Sequence, residues 1–249
     1  MKIIQLTDLH IGMEDEETNG IDIRKNFLFI LDQIRKEQPD QLIITGDLCL
    51  MNGRVLTYQW IGQQLENFPC PVNFLSGNHD QATILAKHLG KESFLQGTEL
   101  YGRLDWEHGA VLFLDTSPGR MSQPQKDWLR NELAQSSHPR IIFMHHPPAL
   151  AGLPFMDNNH PFHEARELQE IFQQAPYPCT VFCGHYHIEC TIQLPNLTIF
   201  ITPSIYFQID GNYAEFQVDH TRIAYRKIEW ASDHSIRCGL KYFDGFKID

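Results

Sequence analysis

The sequence is short of positive charge: 20 lysines and arginines stand against 31 aspartates and glutamates, for a formal net charge of -11. Proteins that grip a nucleic-acid polymer present a basic face, and no Lys/Arg-rich stretch interleaved with aromatics supplies one here. A polymeric nucleic-acid partner is therefore not expected. A small phosphate ester stays open, because bound divalent ions would reverse the sign locally. Paired cysteines are also missing. The six present, at 49, 70, 179, 183, 190 and 238, form no Cys-x-x-Cys pair and no regular spacing, which argues against a disulfide framework. No apolar run approaches the length of a membrane span. The opening apolar stretch of MKIIQLTDLHIG stops at Asp8, too early for the core of a secretory leader. Reduced thiols and no membrane contact lead to the expectation of a cytoplasmic protein. No Pro/Gly/Ser linker, low-complexity tract or repeat divides the 249 residues, so a single domain spanning 1–249 is expected.

What the chain does hold is histidine, thirteen of them, and histidine is the commonest metal-ligating side chain. Five segments share one shape, a short apolar and β-branched run that stops at polar residues: KIIQLTDLH, QLIITGD, VNFLSGNHD, IIFMHHPP and TVFCGHYH. Runs of this length suit strands buried on both faces of a sheet. Helical periodicity fills the gaps. Ile23, Phe27, Ile30, Leu31 and Ile34 share one face of a helix that Pro39 ends. Trp60, Ile61, Leu65 and Phe68 mark a second, and Leu168, Ile171 and Phe172 another. Before that last one, SQPQKDWLRNEL opens with Ser122 and Gln125 at capping-box spacing and Pro124 in the first turn. Strands alternating with helices indicate an α/β layered domain. The final third reads differently, as successive strands in LTIFITPSIYFQID and YAEFQVDHTRIAYRKIEW, with VDHTR as a hairpin turn.

Ligands of open α/β sheets gather at the carboxyl ends of strands. Each of the five runs delivers its acids and histidines there: Asp8, His10, Asp47, Asn78, His79, Asp80, His145, His146, His185 and His187. One aspartate after a strand is ordinarily a turn or cap residue. Five such endings are not, because turns have no use for histidine. Asp8-x-His10 and His185-x-His187 place two donors one residue apart, and in an extended segment both would face the same side. Seven nitrogen and oxygen donors (Asp8, His10, Asp47, Asn78, His145, His185 and His187) exceed a tetrahedral zinc site and fit two ions sharing a carboxylate. Such a set is compatible with Mn, Fe, Zn or Co, including a mixed-valence pair. Two ions of this kind clamp the attacking and leaving oxygens of a phosphoryl displacement and generate its nucleophile near neutral pH.

The series Asp8-Leu9-His10, Gly46-Asp47, Gly77-Asn78-His79-Asp80, His145 and Gly184-His185-Tyr186-His187 resembles the calcineurin-like metallophosphoesterase superfamily, whose motifs run DxH, GD, GNH[DE], H and GHxH. All are intact and in order over about three quarters of the chain. The resemblance implies a four-layer αββα sandwich with two central mixed sheets and a dinuclear centre on the loops at the strand ends. By the same likeness Asp8, His10 and His187 hold one ion, Asn78, His145 and His185 the other, and Asp47 bridges. It makes His79 a catalytic residue that faces the phosphoryl group and protonates the leaving oxygen, and Asp80 the residue that orients it by a hydrogen bond.

Finer details are similar to the class III cyclic-nucleotide phosphodiesterase branch: GNHD rather than GNHE, MHHPP, FLDTSPGRMSQPQKDWL and TPSIYFQID. Ile205 and Tyr206 depart from the threonine-cysteine pair often seen in that last segment. The implied activity is hydrolysis of a small phosphodiester, with a 3′,5′-cyclic nucleotide such as cyclic AMP as the best single candidate. Glycerophosphodiesters or a nucleotide-linked lipid precursor are the alternative, and a metal-binding scaffold without activity is the non-enzymatic one. The likeness also implies a homodimer, with the long late strands as the pairing edge. His146 is read as structural, Tyr186 as packing away from its histidine neighbours, and Cys183 as a core residue. Asp157, His160 and His163 fall in LAGLPFMDNNHPFHE, read as a solvated loop of a size that often covers an active site.

Overall fold

The computed structural model describes residues 1–13 and 16–248. Two sheets stack face to face. The first has five strands in the spatial order Ile236–Phe243, Ile223–Trp230, Lys2–Leu6, Gln41–Thr45 and Val72–Leu75. Its last three strands are parallel, Ile223–Trp230 joins Lys2–Leu6 antiparallel, and Ile236–Phe243 joins Ile223–Trp230 antiparallel at the edge. The second has six, in the order Cys190–Leu194, Leu197–Ile201, Cys179–Cys183, Arg140–Phe143, Gly109–Phe113 and Gly102–Trp106. It is parallel at the centre and antiparallel at both edges.

Strand alternation sorts the apolar residues into layers. Ile3, Ile43, Leu75, Ile228 and Trp230 of the first sheet meet Val111, Phe113, Ile141, Phe143 and Phe182 of the second in one buried cluster. Phe113, Phe143, Phe182 and Phe200 stand in register across four adjacent strands, with ring centroids 5.7, 5.5 and 5.2 Å apart. The neighbouring residues Ile4, Leu6, Leu42 and Ile44, and Leu112, Ile142, Val181 and Ile199, face outward into a separate cluster that includes the buried faces of the helices. Helices Ile23–Glu37 and Val55–Leu65, with Gln123–Ala134 and Ala165–Gln173, supply the outer layers of a four-layer αββα sandwich. Among the described residues, no helix is long and apolar enough to cross a membrane.

All four helices stand where periodicity puts them, but some details differ. Ser122 does cap its helix, accepting from the Gln125 N–H at 3.2 Å. Gln125 does not return the bond. Its amide is buried between Asp115 and Glu99, so Glu99 takes the Ser122 N–H instead. VDHTR is not a hairpin: Val218–His220 pairs with Gln208–Ile209, whereas Ile223–Trp230 crosses to the first sheet. The late hairpin is formed instead by Ile223–Trp230 and Ile236–Phe243. Periodicity also passed over the helix Pro154–Asn159, which turns the expected loop into a structured lobe.

Candidate metal centre

The loops at the strand ends are fastened to each other before any side chain is considered. Asp8 and His10 donate their backbone N–H groups to the carbonyls of Gly46 and Asp47, at 3.0 and 2.9 Å. Across the sheets, the Asp8 carboxylate accepts the His185 N–H at 3.0 Å and the Thr7 hydroxyl at 2.7 Å. Gly184 and Gly77 make these approaches feasible. A Cβ on Gly184 would overlap Thr7 and Asp8, and one on Gly77 would overlap the Asp47 carboxylate. The role of Gly77 is thus to give room to its neighbour.

Alternation along an extended strand does not explain the Asp-x-His and His-x-His pairs. Asp8, His10, Asp47, His185 and His187 all lie in the left-handed region, with φ of 53, 47, 49, 68 and 49°. Non-glycine residues adopt this conformation at a cost of order 1–3 kcal/mol each, and such residues cluster where function requires them. Here the strands have already ended at Leu6, Thr45 and Cys183. The left-handed turns are what aim the donors at one point.

Asp8, His10 and His187 bring donor atoms within 4.8 Å of one another, as do Asp8, Asp47 and His145. Asp47 sits between the halves, its Oδ2 3.3 Å from His145 Nε2 and 3.8 Å from His10 Nε2. Asn78 Oδ1 lies 3.1 Å from His145 Nε2. The six acidic and histidine members of the expected ligand set are at most 7% exposed, whereas Asn78 is open to solvent. His146, read as structural, joins His145 and His185 as a third group of donors. Its Nδ1 lies 3.0 Å from the Thr116 hydroxyl, which also accepts the His146 backbone N–H at 3.1 Å.

Backbone carbonyls fix the histidine tautomers. His145 Nδ1 faces Thr45 O at 2.9 Å, and His187 Nδ1 faces Phe207 O at 3.0 Å. Both must donate there, leaving Nε2 as the lone pair in the neutral rings. His10 is directed the same way by Leu50 O, more distantly at 3.5 Å. His185 is reversed: its Nε2 donates to His160 O at 3.0 Å, freeing Nδ1. Two consequences bear on cation binding here. His10 and His187 point Nε2 at Nε2 across 3.0 Å, and with His187 Nδ1 donating to Phe207 O the gap takes either a proton from His10 or a bound cation. The field also keeps His10 unprotonated: burial, then His187, lowers its pKa to about 3. Burial and His145 do the same for His185, also to about 3. Burial opposes ionisation of Asp8, but His187 and His145 outweigh it and bring its pKa down to about 2. His145 runs the other way: burial opposes its protonation, but Asp47 and Asp8 outweigh it and raise its pKa to about 9, so this ring must give up a proton to bind a metal, as His10 and His185 need not.

His79 sits at the rim, its side chain 29% exposed and its Nε2 3.9 Å from Asp47 Oδ2. Distance alone also groups it with His10 and Asp47 as a donor. No carbonyl fixes its tautomer. The hydrogen bond expected from Asp80 is absent, and His79 Nδ1 is buried without a partner. Asp80 is occupied elsewhere. Its carboxylate accepts the N–H groups of Leu48 and Gly77, each at 3.0 Å, that of Cys49 at 3.2 Å, and the Tyr58 hydroxyl at 3.0 Å. It ties the Asp47 loop to the GNHD turn. Burial and the nearby Asp47 raise its pKa to about 6. Asp80→Asn, with a single acceptor oxygen, should lose two of the four bonds and about 2 kcal/mol of stability. Denaturant titration checks this; full stability with lost turnover would return Asp80 to a direct catalytic role.

A cavity of about 340 Å³ opens over these residues. Its lining includes His10, Asp47, Asn78, His79, His185 and His187 together with Phe155, Phe207 and Phe216, and Phe207 lies beside His187, with ring centroids 5.1 Å apart. Sequence reasoning missed Phe155 and Phe216 because neither belongs to a motif.

A family model for calcineurin-like phosphoesterases matches residues 1–189. The chain belongs to that family. A probable cyclic nucleotide phosphodiesterase from Fibrobacter succinogenes is 34% identical over 233 residues, covering 94% of this chain and 91% of its own. A glycerophosphodiester phosphodiesterase, GpdQ, from Enterobacter lignolyticus is 26% identical, over 84% of this chain and 79% of its own. In fold, a dimetal phosphatase from Danio rerio superposes with a TM-score of 0.68 at 11% identity, covering 91% of this chain and 94% of its own. The protein is a metal-dependent phosphoester hydrolase, and its donors suit the dinuclear centre of the family.

Proposed function

We propose that the enzyme hydrolyses a small phosphodiester with a planar aromatic arm, a 3′,5′-cyclic nucleotide such as cyclic AMP. The observation that carries this reading is the aromatic part of the cavity lining, next to the donors. Phe216 packs against Phe155 and Phe207, with ring centroids 5.6 Å apart in each pair, and is itself 48% exposed. An aromatic face left open beside polar donors suits a nucleobase, since base stacking on such a ring is sequence-tolerant and worth about 1–3 kcal/mol. A glycerol arm gains nothing from it. The name of the Fibrobacter relative agrees with this choice, and that of GpdQ names the alternative.

Asp8, His10 and His187 would hold one ion and Asn78, His145 and His185 the other, with Asp47 shared. When bound, the ions supply Lewis acidity to the phosphoryl oxygens and generate the nucleophile. The protein residues position and protonate. His79, on the open side and with no carbonyl fixing its tautomer, donates a proton to the departing alkoxide. The left-handed turns hold the donors fixed, so little reorganisation accompanies the reaction.

The test is a panel of cyclic nucleotides, glycerophosphodiesters and an aryl phosphodiester, run after reconstitution with each of Mn, Fe, Zn and Co. Cyclic AMP turned over no better than the aryl diester would sink the cyclic-nucleotide reading. Phe216→Ala should raise KM for cyclic AMP about tenfold, one lost stacking contact, and leave that for glycerophosphoethanolamine unchanged. Steady-state kinetics on both substrates decides it.

A further inference from the structure

Asp157 and Tyr186 belong to no motif with an assigned task, yet they are bonded to each other next to the metal centre. Tyr186 is fully buried, and its hydroxyl donates to Asp157 Oδ1 at 2.9 Å. The same carboxylate gathers the turn before its own helix, accepting the N–H groups of Ala151, Gly152 and Leu153 at 3.0, 2.7 and 2.9 Å. Three backbone N–H groups of the turn that leads into Pro154–Asn159 are thus held by one side chain that Tyr186 anchors to the His-x-His loop. At the far end of this helix, His160 N–H bonds back to Met156 O, and the His160 carbonyl meets His185 Nε2 at 3.0 Å.

We propose that Asp157 is a positioning residue for the metal centre: through Tyr186 it fastens the 151–160 lobe so that the His160 carbonyl holds His185 with Nδ1 toward the ion. The geometry is a closed loop. His185 precedes Tyr186, Tyr186 binds Asp157, and Asp157's helix returns a carbonyl to His185. Tyr186 accordingly points away from the site and serves it from behind. The lobe also carries Phe155, so one anchor sets a metal ligand and part of the substrate wall.

Removing a group that orients a metal-binding histidine typically costs 10–100-fold in affinity. The test is calorimetric titration of the metal-free full-length protein with Zn²⁺, alongside ¹⁵N NMR of the histidine rings in the loaded protein. Tyr186→Phe keeps the buried ring and removes only the hydroxyl. It should weaken one of the two ions about 10–100-fold, leave the other within twofold, and speed solvent exchange of the His185 Nε2–H. Asp157→Ala should do the same or more, and His185→Ala defines which ion is affected. Equal weakening of both ions, as a general loss of stability would give, overturns the proposal. Wild-type affinities in Tyr186→Phe while His185→Ala loses an ion also overturn it, with the ligand assignment intact. Retention of both ions by His185→Ala overturns it together with that assignment. None of these readouts depends on which diester is cleaved.

Discussion

His79→Ala is expected to keep both metal ions and lose turnover by about 10²–10⁴, the usual contribution of a positioned general acid. The expectation follows from how this histidine differs from the others. Carbonyls direct the rings of His10, His145, His185 and His187, which fixes a lone pair toward the centre. His79 has no such bond, and its ring edge is open to the cavity. A group that must exchange a proton each cycle is poorly served by a fixed tautomer. The loss should be greatest for diesters with alkoxide leaving groups and small for p-nitrophenolate, which departs without protonation. Kinetics on both kinds of leaving group, with metal content measured on the same samples, separates the roles. Lost metal would make His79 a ligand, as its distance to His10 and Asp47 also allows.

Asp47→Asn should be more damaging still, for a different reason. Asp47 Oδ1 accepts the His79 N–H at 2.9 Å, and asparagine can keep that bond. The GNHD turn should therefore survive. What disappears is the charge shared between His10 and His145. Metal content should fall to one ion per chain or fewer. Turnover should drop about 10³-fold or more, corresponding to the several kcal/mol that a bound ion contributes to the transition state. Elemental analysis of the purified variant, with circular dichroism to verify the fold, measures this. Two ions retained at wild-type affinity would remove Asp47 from the bridging position.

The strands and the donors could be read from sequence because both leave local marks. Apolar runs such as QLIIT and TVFC identify buried strands, and histidine after a strand has no structural reason to be common. The means of convergence left no such mark. Left-handed φ at Asp8 or His187 looks like any other aspartate or histidine in sequence, and the extended spacing predicted for them was wrong in mechanism. A carboxylate next to a histidine suggests a hydrogen bond from His79 to Asp80; in the fold Asp80 instead meets four donors from three segments. Carbonyl partners such as His160 O are invisible in principle, since every residue has one. VDHTR misled because its turn-like residues link two different sheets, a choice that only tertiary packing makes. Phe155 and Phe216 lie 61 positions apart and meet only in the folded chain.

The bond from the His185 N–H to the Asp8 carboxylate spans 177 positions of sequence and joins the ends of two different sheets. The donors are therefore divided between an early and a late part of the chain as it is synthesised. A nascent polypeptide that has not yet reached His185 has only His145 among the late donors to join the two sheets at this end, through Thr45 and Asp47. Once made, coordination bonds would act as a clasp across the sandwich, and separating the sheets would break them as well as expose the apolar layer between.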